Sequence, residues 1–392
     1  MLKSENPTRP TTFDEFIARR RFGSLDGLRC FCILVVIWHH TPGAESLGVP
    51  FLNRGFLGVD MFFVLSGFLI TTLLIRERAK HGCISLRAFW IRRSLRIFPI
   101  YYISLFVILI AYLTLRRDDP ETQALLSDLP FHAFYLSNWR HDIAANLQPL
   151  WSLGTEEQFY VFWPLIEVFA ISPIRRVVLA LLILVNVLIA TRIGVPMLFE
   201  GGVDHPIFGL SIMQTTFLPI LLGVALAHLL HNKKWYAIIS FFVSWRWAPV
   251  VWTGILVALI QFSPSDIQGW PRILIQLSMT AIIASTVTQQ THAMTGFLSF
   301  AAFRRMGEVS YGMYLFHKWA IDIEQRVVSK LGFESDLLPV IQFVVIVAVT
   351  MAVSEASFRL IESPILRFKK KFTRVDMGRE EPSQCDKQGA TS

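Results

Sequence analysis

Five groups of polar side chains stand where the surrounding sequence is apolar, and each has residue types suited to chemistry. Arg29 and His40 flank the apolar run from Cys30 to Trp38. Eleven positions are close to three whole helical turns, so on a helix both side chains point the same way, about 16 Å apart along the axis. His39 points about 80° away. A guanidinium and an imidazole inside a membrane are costly unless they face a bundle interior or a wet cavity, so this pairing suggests a shared internal channel. A snorkelling arginine with a histidine at the outer rim uses the same two residues. Asp60 and Ser66 lie in the next apolar stretch, Gly55 to Thr71. Asp60 is expected either to pair with His40 or Arg54, or to cap its helix.

Arg92, Arg93 and Arg96 precede Pro99. Arg92 and Arg96 are one turn apart, as are Arg93 and Arg96, and such forks suit phosphate, although a lipid-headgroup anchor has the same composition. Ser152, Glu156 and Glu157, with Trp151 just before them, form either a capping pair at a helix start or an acidic mouth for a hydroxylated substrate. Tyr314 and His317 share one helix face; aromatic belting at a membrane interface accounts for the tyrosines in this region but not for the histidine.

These groups need apolar elements to hold them. The 392 residues are 53% hydrophobic and 17% charged, with a mean hydropathy of +0.48. A soluble chain of this size must still wet its outer face, so the balance excludes soluble enzymes, and most of the chain is expected to face lipid. The net charge of +8 would suit a nucleic acid only if the basic residues made one wetted face. The four cysteines, Cys30, Cys32, Cys83 and Cys385, are too few and too unevenly spaced for a disulfide framework or a zinc site, and no metal is expected.

Ten apolar stretches are candidate spans, at 25–42, 56–75, 97–115, 153–171, 177–191, 207–230, 248–262, 272–290, 309–325 and 338–358. Segments 131–139 and 236–245 are too short or too interrupted to cross and are expected to be re-entrant or interfacial. The first stretch follows Arg19, Arg20 and Arg21 without a small-residue cleavage pattern, so it reads as an uncleaved span. Placing the N-terminus in the cytoplasm puts 28 of the 37 lysines and arginines on the cytoplasmic side. The expected class is therefore an all-α integral membrane protein of about ten transmembrane helices with both termini cytoplasmic, multi-pass in the cell (inner) membrane. It divides into a cytoplasmic segment 1–24, a membrane domain 25–361 and a basic tail 362–392, expected to be disordered.

Taken in order, these pieces resemble the membrane-bound acyltransferase-3 family of sugar and antibiotic O-acyltransferases. The likeness runs from about Leu25 to Ile361. It rests on Leu25-Asp26-Gly27-Leu28-Arg29 with His40 ten residues on, Gly58-Val59-Asp60 through Ser66-Gly67-Phe68, Arg92-Arg93 with Arg96 before Pro99, Trp151-Ser152-Leu153 with Glu156-Glu157-Gln158-Phe159-Tyr160, and Ser310-Tyr311-Gly312 to His317. Thr155 stands where the family usually has an aliphatic residue, and Cys30 and Cys32 replace commoner small or apolar ones; neither departure removes a polar group.

The resemblance implies transfer of an acyl group, usually acetyl, from cytoplasmic acyl-CoA to a hydroxyl of a carbohydrate or lipid-linked glycan, with no nucleic-acid partner. It makes Arg29 and His40 the functional pair and gives Arg93 and Arg96, with Arg92 beside them, the donor. His40 then acts as general base or as a transient acyl carrier, with Asp60 or Glu156 orienting its ring. Trp151, Glu157, Tyr314 and His317 are the candidates for the acceptor. The soluble esterase-like domain fused to some relatives is not expected here. The alternative function is a multi-pass transporter of a small molecule or glycan precursor, because buried Arg, His and Asp also line transport pathways.

Overall fold

The computed structural model describes residues 11–19, 21–117, 119–140, 147–191, 217–265, 267–331 and 338–369. Among them there is no strand. The helices run α1 Phe13–Ala18, α2 Ser24–His40, α3 Pro50–Asn53, α4 Leu57–His81, α5 Leu86–Leu115, α6 Pro120–Ala133, α7 Trp151–Phe169, α8 Ser172–Thr191, α9 Leu218–Leu230, α10 Lys233–Val243, α11 Ala248–Phe262, α12 Trp270–Thr288, α13 Thr295–Leu298, α14 Ala301–Glu308, α15 Ser310–Leu331, α16 Leu338–Ser357 and α17 Ser363–Lys369. Their starts carry local signals. Thr12 and Glu15 form a capping box at α1, Ser85 caps α5, Asp119 with Pro120 opens α6, and Asn232 caps α10.

A helix lies in each of the ten apolar stretches, although residues 207–216 of the sixth fall outside the described residues. Among the described residues, five helical runs are long and apolar enough to cross a membrane: α4, α5, α8, α12 and the run that begins with α16. The pair α10 and α11 meets the same test only when taken together, and it is bent by 72° at its break. This is the build of a multi-pass membrane protein. The bend falls beside segment 236–245, while segment 131–139 holds the end of α6 and a turn in which Tyr135 adopts φ of 56°. Beyond α16, one π turn from Phe358 to Glu362 leads directly into α17. The boundary expected at 361 therefore falls inside a continuous helical run that reaches Lys369; residues 370–392 lie outside the described residues.

Two apolar cores meet along α2 and α4. One joins Ile33, Val36 and Ile37 to α5, α7 and α15; the other joins Leu25, Leu28 and Cys32 to α1, α9 and α12. Because α2 is packed on several sides by α4, α14, α15 and α16, it needs no lipophilic surface of its own, which permits so short an apolar run. The α4 and α9 helices approach closely. A Cβ on Gly67 would run into the Ile220 carbonyl, and one on Gly223 into the Val64 carbonyl, so each glycine admits the other helix's backbone.

Candidate active site

The α2, α4, α5, α7 and α15 helices enclose a cavity of about 680 Å³ of empty space, including its opening. Its polar wall is Arg29 from α2, Ser66 from α4, Arg93 and Arg96 from α5, Ser152, Glu156 and Tyr160 from α7, and Ser310, Tyr311 and Tyr314 from α15; Val59, Phe62, Phe63, Ile97 and Leu153 supply the rest. Arg93 and Arg96 reach it together because they lie one turn apart on α5.

Arg29, Arg93 and Arg96, the last also within electrostatic reach of Asp26 and Glu362, thus share the wall with one carboxylate, Glu156. That carboxylate is already engaged, since Ser66 donates its hydroxyl to Glu156 at 2.6 Å and Tyr160 donates to Ser66 Oγ at 3.3 Å. Arg93 lies over the Tyr160 ring at 5.4 Å and near Phe89 at 5.8 Å. Arg29 approaches Asp26 only to 3.9 Å, and among the described residues neither Arg93 nor Arg96 has an ion-pair partner. A low-dielectric cavity with surplus positive charge favours an anion with several acceptor oxygens.

Tyr314 and Ser152 meet at the cavity wall. The Tyr314 hydroxyl donates to the Pro149 carbonyl at 2.6 Å and lies 2.8 Å from Ser152 Oγ. Next to it on α15 is His317, whose ring is 5.6 Å from that of Tyr314 and 5.1 Å from that of His40. His40 Nδ1 lies 2.9 Å from the Val36 carbonyl and His317 Nδ1 lies 2.6 Å from the Tyr314 carbonyl. A carbonyl can only accept, so each Nδ1 carries the proton, and in the neutral ring each Nε2 carries the lone pair.

Several sequence expectations change at this level. Arg29 lines the cavity; His40 is not among its lining residues and lies beside His317, whose ring adjoins that of the cavity residue Tyr314. Asp60 pairs with neither His40 nor Arg54. It accepts from Arg272 at 3.0 and 2.9 Å and from Gln276 at 2.8 Å, because α12 packs against that face of α4; nor does its side chain cap α4. Arg54 instead caps the end of α11, donating to the carbonyls of Ile260, Ser263 and Pro264. Glu156 turns to Ser66 rather than to His40, and Ser152 binds Pro149 and Tyr314 instead of capping α7.

Arg92 leaves the arginine patch, pairing with Glu77 at 3.2 Å. Trp151 and Glu157 are not cavity walls: Trp151 packs edge-on to Phe63 at 6.0 Å, and Glu157 stands within electrostatic reach of Tyr101, Tyr102 and Tyr135. Of the acceptor candidates, Tyr314 is at the cavity and His317 lies behind it. Sequence reasoning missed Arg272 and Gln276 as partners of Asp60 and Glu77 as partner of Arg92. It also missed Glu167, which is fully buried with His228 at 2.6 Å, Arg175 at 3.2 Å and Arg78 at 3.5 Å. A carboxylate inside the 153–171 stretch was its only signal.

With this geometry the chain can be set beside known proteins. The acyltransferase-domain family, acyltransferase 3, matches residues 22–357. The chain belongs to this family. It is 28% identical to the peptidoglycan O-acetyltransferase OatA of Listeria monocytogenes serovar 1/2a, over 89% of this chain and 56% of that protein. A Staphylococcus aureus (strain COL) protein provisionally named an O-acetyltransferase is 31% identical over 90% of this chain and 58% of its own length. YrhL of Bacillus subtilis (strain 168), provisionally named a peptidoglycan O-acetyltransferase, is 29% identical over 88% and 55%. The chain thus spans a little over half the length of these relatives. No solved structure matches.

Proposed function

We propose that this family member is a membrane-bound O-acyltransferase that moves an acyl group, acetyl by the habit of its relatives, from cytoplasmic acyl-CoA to a hydroxyl of a cell-surface carbohydrate. The observation that carries the reading is the cavity with three inward guanidinium groups and one engaged carboxylate. CoA brings a pyrophosphate and a 3′-phosphate on a narrow pantetheine arm, which suits a cationic mouth leading into a bundle. Two of the relatives bear names that specify peptidoglycan, so a glycan of the cell envelope is the acceptor we favour. The topology that goes with this reading has ten spans in the cell (inner) membrane, with both termini in the cytoplasm and the arginines of α5 at the inner mouth.

In this mechanism Arg93 and Arg96 grip the phosphates and Arg29 stands along the path of the arm. The arm carries the thioester past Tyr314 toward His317 and His40. The Nε2 lone pair of His40 takes the acceptor hydroxyl proton as that oxygen attacks the thioester carbon, the carbon–sulfur bond breaks, and His40 returns the proton to the thiolate. Glu156, held by Ser66 and Tyr160, keeps the cavity wall polar without neutralising the arginines. Asp60 acts at a distance, fixing α4 to α12.

The test compares mass spectra of envelope glycans from cells with the intact chain, without it, and with His40→Ala. An acetyl increment of mass present only with the intact chain is expected. Equal glycan masses in all three would sink the reading. Labelled acetyl-CoA supplied to membranes separates an enzyme from a carrier, because only an enzyme releases CoA in step with glycan labelling.

A further inference from the structure

His317 is 0% exposed, and its Nε2 has no hydrogen-bond partner among the described residues. A buried polar atom left unpaired costs free energy, and such atoms persist where a passing partner uses them. Nδ1 cannot serve that purpose, since it donates to the Tyr314 carbonyl. His40 is the ring beside it, 5.1 Å away with the planes at 61°. His39 adjoins His40 at 5.0 Å on another side, but its side chain is exposed and its Nδ1 is bound to the Asn53 carbonyl, so it belongs to the outer rim.

When His40 takes a proton it becomes a cation, and no carboxylate stands ready for it. Asp60 is held by Arg272 and Gln276, and Glu156 by Ser66. Lys318, of the same sign, is within electrostatic reach of both rings. A neutral acceptor is what remains. We propose that His317 is the positioning partner of His40, its Nε2 lone pair accepting a hydrogen bond from the Nε2–H that His40 gains during acyl transfer. The proton comes from the acceptor hydroxyl, rests on His40 under the hold of His317, and leaves to the CoA thiolate, so His317 itself neither gains nor loses one. His317 thereby has the part that an acid has in a catalytic triad, without adding a negative charge that would compete with the donor for the arginines. The inference rests on the reading of His40 as general base.

The experiment uses the full chain in inside-out vesicles of its native membrane, which carry the cell's own acceptor, with labelled acetyl-CoA as probe. Vmax and KM for acetyl-CoA are read together with protein level. His317→Phe keeps the volume and removes the acceptor atom, and should lower Vmax about 100-fold with KM unchanged. His317→Gln places an amide oxygen near the Nε2 position and should hold Vmax within about tenfold of the parent. If His317→Phe does not reach the membrane, His317→Leu takes its place. Full Vmax without the acceptor atom overturns the proposal. So does His317→Gln falling as far as His317→Phe, or a loss confined to KM. His40→Ala runs in parallel: activity in that variant defeats the reading of His40, whereas its inactivity beside a fully active His317→Phe defeats the pairing alone.

Discussion

Arg92, Arg93 and Arg96 look alike in sequence, yet the structure predicts opposite results for their removal. Arg92 is 14% exposed and its partner Glu77 is 2% exposed, with 3.2 Å between their charged atoms. Arg92→Ala leaves a buried carboxylate that retains the Ser85 amide as donor at 3.0 Å. Breaking a buried pair from one side costs about 3–5 kcal/mol, and the surviving amide bond puts this case near about 3 kcal/mol. Arg93 and Arg96 have no such ion pair among the described residues, so in the proposed mechanism their loss chiefly removes contacts made to the donor. A hydrogen bond to a charged group is worth about 1.5–3 kcal/mol, which corresponds to a rise of about 10- to 150-fold in the KM for acetyl-CoA for Arg93→Ala and for Arg96→Ala. Initial rates over a range of acetyl-CoA concentrations, with thermal unfolding of the same preparations in detergent, read both quantities. Arg92→Ala should unfold earlier with a normal KM; the other two should bind acetyl-CoA poorly at normal stability. A KM for Arg92→Ala that rises as much as that for Arg93→Ala, with unfolding unchanged, would refute the division of the patch.

Asp60→Ala leaves Arg272 and Gln276 facing a buried gap and should destabilise the protein by about 3–5 kcal/mol, seen as a lower unfolding temperature; unchanged stability with lost activity would restore Asp60 to the reaction. Gly223→Leu drives a side chain into the Val64 carbonyl, so folded protein recovered from membranes should fall sharply, and normal recovery would contradict the close α4–α9 packing. His39→Ala removes a rim hydrogen bond to Asn53 and should slow acetyl transfer by less than about tenfold, where His40→Ala abolishes it; comparable losses in both would mean that the roles of the two histidines are not separate.

The apolar stretches were legible because hydropathy needs no partner to be read, and a helix lies in each. The stretches differ in how far their helices meet the length and apolarity that a membrane crossing asks for. The α2, α7 and α15 helices line the cavity yet do not reach the apolarity of α4 or α8, because neighbouring helices shield their polar residues. Helical spacing brought Arg93 to Arg96 and Tyr314 to His317, since residues three apart share a face whatever surrounds them.

Partnerships between helices followed no such rule. Asp60 and Arg272 are 212 positions apart, and His40 lies opposite His317 from a different helix; no period links them. By itself the sequence determined a helical membrane protein, the apolar stretches on which helices lie, and the polar groups stranded inside them, because these follow from local composition and the geometry of one helix. Only the tertiary structure decided that Arg92 turns to Glu77 while Arg93 and Arg96 turn inward, that Asp60 is occupied by α12, and that His40 has an imidazole for a neighbour. A side chain's partner depends on which helix faces it, and that is set by how the whole bundle packs.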